Sequence, residues 1–193
     1  MLKSFIHLVI VVMMVRLNYS CTNATPDMDK RANDKKAAEE QNNSKFDRIG
    51  KQDASYVVDI YARELYEMEF AACAKEMASR QDVKALSDTV ITIHNLITDS
   101  MKELAEKKGI TLPLQLDQDK VDEIRKTVEK EKEYFDQYFT DKVVTDHKDI
   151  LKLFQKASDD ANDAGISNFF SSRQEQLKIL LTRALQTRER LKE

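Results

Sequence analysis

The residues of this sequence that could do chemistry are two acids and two histidines, each near the centre of a helical pattern. Glu64 and Glu67 are three residues apart, so they share one face of a helix, and the rest of that face is apolar. His94 and His147 lie on the apolar faces of two later helices. All four side chains are therefore expected to be buried. Buried carboxylates need partners, which a metal ion, a histidine, a tyrosine hydroxyl or an arginine can supply.

These side chains allow two interpretations. Glu67, His94 and His147 are candidate metal ligands, with Glu64 as a further candidate. One carboxylate and two imidazoles around an open position suit zinc or iron. The other interpretation, which we favour, is a hydrogen-bonded polar layer that holds no metal.

Other functional classes have little support in the sequence. It contains no Gly-x-Ser-x-Gly element, no glycine-rich phosphate loop and no Cys-x-x-Cys pair. The formal net charge of −3 indicates no basic face for nucleic acid. We therefore predict no catalytic residue and no nucleic-acid partner.

The composition predicts long helices that place these side chains. There are only 3 glycines and 2 prolines, and 34% of the residues are charged. Apolar spacing predicts main helices over about 53–79, 82–108, 133–160 and 166–191, with a short amphipathic helix near 121–128. Asp53 and Asp82 are predicted caps, and Gly109 is a predicted stop. Because Glu67, His94, His147 and Leu180 are each near mid-helix, we expect them in one layer.

The N-terminal segment indicates a secreted, anchored protein. The apolar run from Phe5 to Val15 is too short for a bilayer span, which needs about twenty residues. Residues 1–20 are predicted to be a signal peptide, and Cys21 a lipidated N-terminus that binds the membrane. The alternative is an ordinary signal peptide with an incidental Cys21. Residues 21–51 are polar and predicted to be a disordered tether, and 52–192 the folded domain.

The folded part resembles a bacterial domain-of-unknown-function family, number forty-one forty-two. The elements that carry the resemblance are Asp53-Ala-Ser-Tyr56, Glu67, Asp82-Val-Lys84, His94, Lys107-Lys-Gly-Ile-Thr-Leu-Pro113, Tyr134-Phe-Asp-Gln-Tyr138 and His147-Lys148. The resemblance covers about residues 53–185. It implies a ferritin-like four-helix bundle, a periplasmic or outer-membrane location, and a metal layer.

Three positions depart from the family pattern. Ile93 stands where the family has Asp, Lys132 where it has Gly, and Leu180 where it has a histidine in the last helix. The Glu-x-x-His pairs of di-iron bundles are also missing, because Ile91 stands three residues before His94. The expected metal layer is therefore incomplete.

The resulting prediction is an all-α, ferritin-like four-helix bundle with a short extra helix between the second and third helices. It would belong to an envelope lipoprotein on the periplasmic side, anchored to the outer membrane. The leading function is a non-enzymatic binding or stress-related role. The alternative is a metal-binding ferritin-like protein, with iron or zinc at Glu67, His94 and His147 and with redox activity.

Overall fold

The computed structural model describes residues 34–193, which are helical apart from short connections and contain no strand. The elements are α1 (Asp34–Lys45), α2 (Arg48–Met77), α3 (Gln81–Lys108), α4 (Gln118–Lys130), a 3-10 turn (Lys132–Tyr134), α5 (Phe135–Asp160) and α6 (Ala164–Arg190). The all-α prediction is confirmed, and α4 lies where the short amphipathic helix was predicted. None of these helices within 34–193 is long and apolar enough to cross a bilayer.

The four long helices pack as two hairpins. α2 pairs with α3 and α5 pairs with α6, while α2 also contacts α5 and α3 also contacts α6. This arrangement places α3 and α5 on a diagonal of the bundle. The connection between α3 and α5 carries α4, which packs against α2. Side chains from α3 and α5 can therefore meet only through the centre of the core.

Two aspartates fix the ends of these hairpins. Asp136, in the first turn of α5, accepts hydrogen bonds from the backbone N–H groups of Ser79 and Arg80, at 2.9 Å each. Asp53 in α2 accepts from the N–H groups of Asn162 (2.9 Å) and Asp163 (2.8 Å). Each aspartate thus holds the turn of the opposite hairpin, so α5 runs antiparallel to α2.

The observed starts of α2 and α3 correct two predicted helix caps. α2 begins at Arg48, where Asp47 accepts a 2.8 Å hydrogen bond from the N–H of Gly50, so Asp53 lies inside the helix. α3 begins at Gln81, which places Asp82 in its first turn rather than at the cap. The predicted stop at Gly109 does end α3, with φ at 68°. Glycine adopts this left-handed conformation without steric cost.

The structure also corrects the extent of the predicted tether. Residues 34–45 form α1, which packs against α2 and buries Ala38 and Asn42. The Asn42 amide pairs with the backbone of Thr111, donating to its carbonyl at 2.8 Å and accepting from its N–H at 2.8 Å. α1 is therefore held by polar contacts that an apolar pattern does not reveal. The predicted signal peptide and Cys21 lie outside the described residues.

We expect Asn42→Ala to loosen α1 without unfolding the bundle. The backbone groups of Thr111 would lose their partners, which costs about 1–2 kcal/mol. Amide hydrogen exchange should accelerate in α1 and stay unchanged in α3. The exposed neighbour Asn43 provides the control variant Asn43→Ala. Equal α1 protection in both variants would contradict the assigned docking contact.

The core consists of two apolar halves. One half contains Phe70, Phe139 and Leu180, and the other contains Phe154 and Phe170. Along α2, α3 and α5, the members of the two halves are separated at Glu64, His94 and His147 respectively. A layer of polar side chains therefore divides the core near the middle of the bundle.

Candidate functional site

Glu64, His94 and His147 form a continuous hydrogen-bonded row, which we call the polar layer. Nδ1 of His94 lies 2.6 Å from Oε2 of Glu64, and Nε2 of His94 lies 2.9 Å from Nε2 of His147. Nδ1 of His147 lies 2.7 Å from the carbonyl oxygen of Val143, one turn earlier in α5. The three side chains have no solvent exposure. The layer thus joins α2, α3 and α5 through the bundle centre.

The partners determine where the protons lie. A carbonyl only accepts, so Nδ1 of His147 carries a proton and donates it to Val143. In the neutral ring, Nε2 of His147 is then an acceptor, and Nε2 of His94 donates to it. The proton between His94 and Glu64 lies in a 2.6 Å contact typical of charge-assisted hydrogen bonds. All four ring nitrogens are therefore partnered.

Electrostatics supports this assignment. Burial, followed by the charge of the nearby His94, lowers the pKa of His147 to about 3, so His147 is neutral. Burial also lowers the pKa of His94, but the charge and hydrogen bond of Glu64 more than offset this effect. The net pKa of His94 is raised. The layer is therefore best described as a Glu64 carboxylate, a His94 imidazolium and a neutral His147.

Glu67 belongs to a second group of charges, which we call the charge network. Its Oε1 lies 3.0 Å from Nε of Arg63, and Nη2 of Arg63 lies 2.9 Å from Asp146. Lys142 lies 2.7 Å from the other oxygen of Asp146. Neither Nε of Arg63 nor Oε1 of Glu67 has a hydrogen-bond partner. Their contact is therefore an ion pair without the alignment of a hydrogen bond. Burial, followed by the charge of Asp146, raises the pKa of Glu67 to about 7.

The predicted metal ligands are only partly brought together. The two Nε2 atoms face each other, and both Nδ1–H groups are held by oxygen acceptors, as metal-binding histidines usually are. Glu64 holds the far nitrogen of His94, which makes it an outer partner rather than a ligand. Glu67 is paired with Arg63 instead. Within residues 34–193, no three His, Cys, Asp or Glu side chains are grouped to hold a metal ion.

A metal ion bound by both rings would also need a larger separation between the two Nε2 atoms. Two zinc–nitrogen bonds of about 2.0 Å in tetrahedral geometry separate the nitrogens by about 3.3 Å. The observed separation is 2.9 Å, a hydrogen-bond distance. His94 would have to lose its Nε2 proton, and Glu67 would have to leave Arg63. The residues therefore fit the polar layer better than a metal centre.

Sequence reasoning did not identify the charge network. Its signal was the i,i+4 spacing of Arg63 and Glu67 in α2, and of Lys142 and Asp146 in α5. Such pairs are common on solvated helix faces. Only the packing of α2 against α5 shows that these two pairs face each other and are partly buried.

Fold and site together define a helical bundle domain with a charged, hydrogen-bonded layer in its core. The chain matches the family model described as "Domain of unknown function (DUF4142)" over residues 33–187, and it belongs to this family. The match begins close to the start of α1. No curated protein and no solved structure matches the chain.

Glu67→Gln should change how stability depends on pH. The raised pKa of Glu67 stabilises the fold at low pH, and this contribution is lost as pH rises through about 7. The lowered pKa of His147 acts oppositely: its contribution is present above the unfolded value of 6.5 and lost as pH falls towards about 3. Between about pH 5 and about pH 6, Glu67 makes the free energy of unfolding of the wild type fall with pH, and His147 makes it rise, so the two effects oppose each other.

In Glu67→Gln, the opposing contribution of Glu67 to the pH dependence of the free energy of unfolding is removed, and that of His147 remains. The free energy of unfolding of this variant should rise by about 1 kcal/mol between about pH 5 and about pH 6, while that of the wild type changes less. Urea unfolding of both proteins at the two pH values measures the difference. Equal slopes in the two proteins would contradict the raised pKa of Glu67.

Proposed function

We propose that this chain is a non-enzymatic binding protein of the cell envelope. The observation that carries this proposal is the complete burial of Glu64, His94 and His147, with every ring nitrogen partnered. A substrate cannot reach these groups unless the bundle opens. Accessible polar groups line a surface cavity between α2 and α4 instead. Reversible binding at the surface, with the polar layer fixing the helices, accounts for both features.

Our proposed architecture is ferritin-like. Ferritin-like bundles consist of two antiparallel hairpins joined by one long crossover. Here the two hairpins α2–α3 and α5–α6 are joined by the connection that carries α4. The antiparallel arrangement of α2 and α5, fixed by Asp53 and Asp136, supports this proposal.

For the location, we propose a lipid anchor at Cys21 that holds the domain on the periplasmic side of the outer membrane. The proposal rests on the short apolar run and the small Ser20 before Cys21. The wild type should fractionate with membranes and show the mass of added acyl chains. Cys21→Ser should lose both properties. A soluble wild-type chain without added mass would contradict the anchor.

A second candidate function is metal binding, favoured by the way the two histidines are held. Their Nε2 atoms face one another, and Glu64 and Val143 orient the rings from the far side. Glu67 would supply the third ligand after leaving Arg63. Iron or zinc bound there would provide Lewis-acid chemistry, and iron would add redox chemistry.

Metal analysis separates the two functions. The wild type and His94→Ala are purified without chelators, and their iron and zinc contents are measured. We expect far less than one metal per chain in both. A stoichiometric metal in the wild type that His94→Ala loses would overturn the metal-free binding function and establish the second candidate.

A further inference from the structure

A surface cavity with a volume of about 430 Å³ lies between α3 and α6, and we call it the α3–α6 cavity. Its charged lining residues are Glu103 and Lys107 of α3 and Arg173 of α6. Leu104 and Phe169 supply apolar surface, and both pack against the core beneath. Cavities of this volume accommodate small molecules. Both helices therefore contribute charged and apolar side chains to one opening.

Arg173 reaches from α6 to α3 at this cavity. Its Nη2 donates a 3.0 Å hydrogen bond to the hydroxyl of Ser100, which itself donates to the carbonyl of Leu96 at 2.9 Å. The guanidinium carbon of Arg173 lies 5.5 Å from the centre of the Phe169 ring. Serine and phenylalanine are uncharged, so these contacts fix the guanidinium in place without neutralising it.

The Arg173 guanidinium has no acidic partner. Within residues 34–193 no carboxylate forms an ion pair with it, and its buried Nε has no hydrogen-bond partner. By contrast, Arg63 in the cavity between α2 and α4 is paired with Glu67 and Asp146. An unpaired, partly buried charge is costly, and a bound anion would offset this cost. Arg173 therefore favours an anionic ligand.

The remaining charges of the lining cancel. Glu103 and Lys107 carry opposite charges, are both exposed and lie one helical turn apart. Beside the cavity, Asp163 is already paired with Lys108 at 2.6 Å, so it does not compensate Arg173. The lining as a whole keeps one net positive charge. A monoanion would neutralise this charge, whereas a dianion would leave an excess of negative charge.

Three lining side chains have hydrogen-bond donors to spare. Arg173 uses one of its N–H groups in the bond to α3. The Lys107 ammonium and the Asn168 amide form no hydrogen bond to another described residue. The Ser172 hydroxyl is already engaged, because it donates to a backbone carbonyl of its own helix at 2.8 Å. Arg173, Lys107 and Asn168 can therefore donate to a bound anion.

We infer that the α3–α6 cavity binds a small organic carboxylate, which Arg173 holds while the body of the ligand lies against Leu104 and Phe169. The planar guanidinium matches the two oxygens of a carboxylate and forms charge-assisted hydrogen bonds with them. Lys107 and Asn168 supply further donors at the exposed edge. The single negative charge of the ligand matches the net charge of the lining. The inference rests on the proposed binding function and names its ligand class.

The test is a titration of the full chain with three probes, followed by two-dimensional amide NMR. Benzoate carries a carboxylate on an apolar body, and benzamide has the same shape without the charge. Phenyl phosphate carries between one and two negative charges near neutral pH. We expect saturable shifts of the amides around Arg173 and Phe169 with benzoate, weaker binding of phenyl phosphate, and no saturable shift with benzamide.

Three variants locate the site, and the amide spectrum of each verifies its fold. Arg173→Gln should weaken benzoate binding at least about tenfold. Arg183→Gln is the matched control and should stay within about twofold, because exposed Arg183 also joins α6 to α3, through a 3.3 Å hydrogen bond to Thr89, but does not line the cavity. Glu103→Gln removes an acid from the lining and should tighten binding about two- to threefold at low salt. Because Glu103 is exposed, this variant still decides if Arg173→Gln does not fold.

Absence of saturable benzoate binding, equal binding of benzamide, or tighter binding of phenyl phosphate would overturn the inference. An unchanged affinity for benzoate in either Arg173→Gln or Glu103→Gln would overturn it as well. These outcomes are separate from failure of the proposed function, which metal content decides. A metal-free protein that binds none of the three probes would remain a binding protein with a different ligand. A stoichiometric metal would overturn the function whatever the probes do.

Discussion

His94→Ala is expected to destabilise the domain by about 3–5 kcal/mol, the cost of removing one partner from a buried charged pair. The Glu64 carboxylate would stay buried without its imidazolium, and Nε2 of His147 would lose its donor. A cavity at the bundle centre adds to the loss. Urea or guanidinium unfolding followed by circular dichroism measures the change.

Two further variants make this result specific. Asn95→Ala, at the next and less buried position of α3, should stay within about 0.5 kcal/mol of the wild type. The double variant Glu64→Leu/His94→Leu removes both charges and should recover much of the loss, because buried pairs can be replaced by apolar residues at small cost. A loss in His94→Ala no larger than that in Asn95→Ala would refute the paired layer.

Asp53→Ala should cost about 2–3 kcal/mol. Asp53 is only 5% exposed, and its two oxygens accept the backbone N–H groups of Asn162 and Asp163. Hydrogen bonds to a charged acceptor contribute more than neutral ones, and both donors would lose their partner. The start of α6 should also exchange amide hydrogens faster. Chemical denaturation and hydrogen exchange measure the two effects.

The matched control for Asp53 is Asp59, on an exposed part of the same helix. Asp59 pairs with Lys35 at the surface, so Asp59→Ala should cost less than about 1 kcal/mol. Asp53→Asn keeps one acceptor oxygen and should fall between the two alanine variants. An Asp53→Ala protein as stable as Asp59→Ala would show that the α5–α6 turn needs no anchor from α2.

Helical periodicity and breakers explain why much of the fold was predictable. Apolar spacing around His94, with Gly109 as the stop, predicted α3 to within one residue at each end. A shared layer was predicted for Glu67, His94, His147 and Leu180, because each lies near the middle of its helix. The structure does bring His94 and His147 together, but Glu64 joins them in place of Glu67, and Leu180 packs in one apolar half of the core. A polar residue on a buried face needs a partner, and the nearest candidates were the other interruptions.

Other contacts depend on geometry that periodicity does not encode. α1 docks through the Asn42 amide and the Thr111 backbone, two polar groups 69 residues apart. Whether Glu64 or Glu67 meets His94 depends on a helix rotation of less than one turn. In the structure, His94 contacts Glu64, and Glu67 pairs with Arg63. The metal roles of these residues stay predictions.

Nitrogen-15 chemical shifts of the histidine rings near neutral pH test the polar layer most directly, because they report where the two imidazoles carry protons. We expect a His147 ring with a proton on Nδ1 and none on Nε2, a His94 ring protonated on both nitrogens, and no change on adding a chelator. Nε2 resonances of both rings that shift when a chelator removes a metal would contradict this expectation.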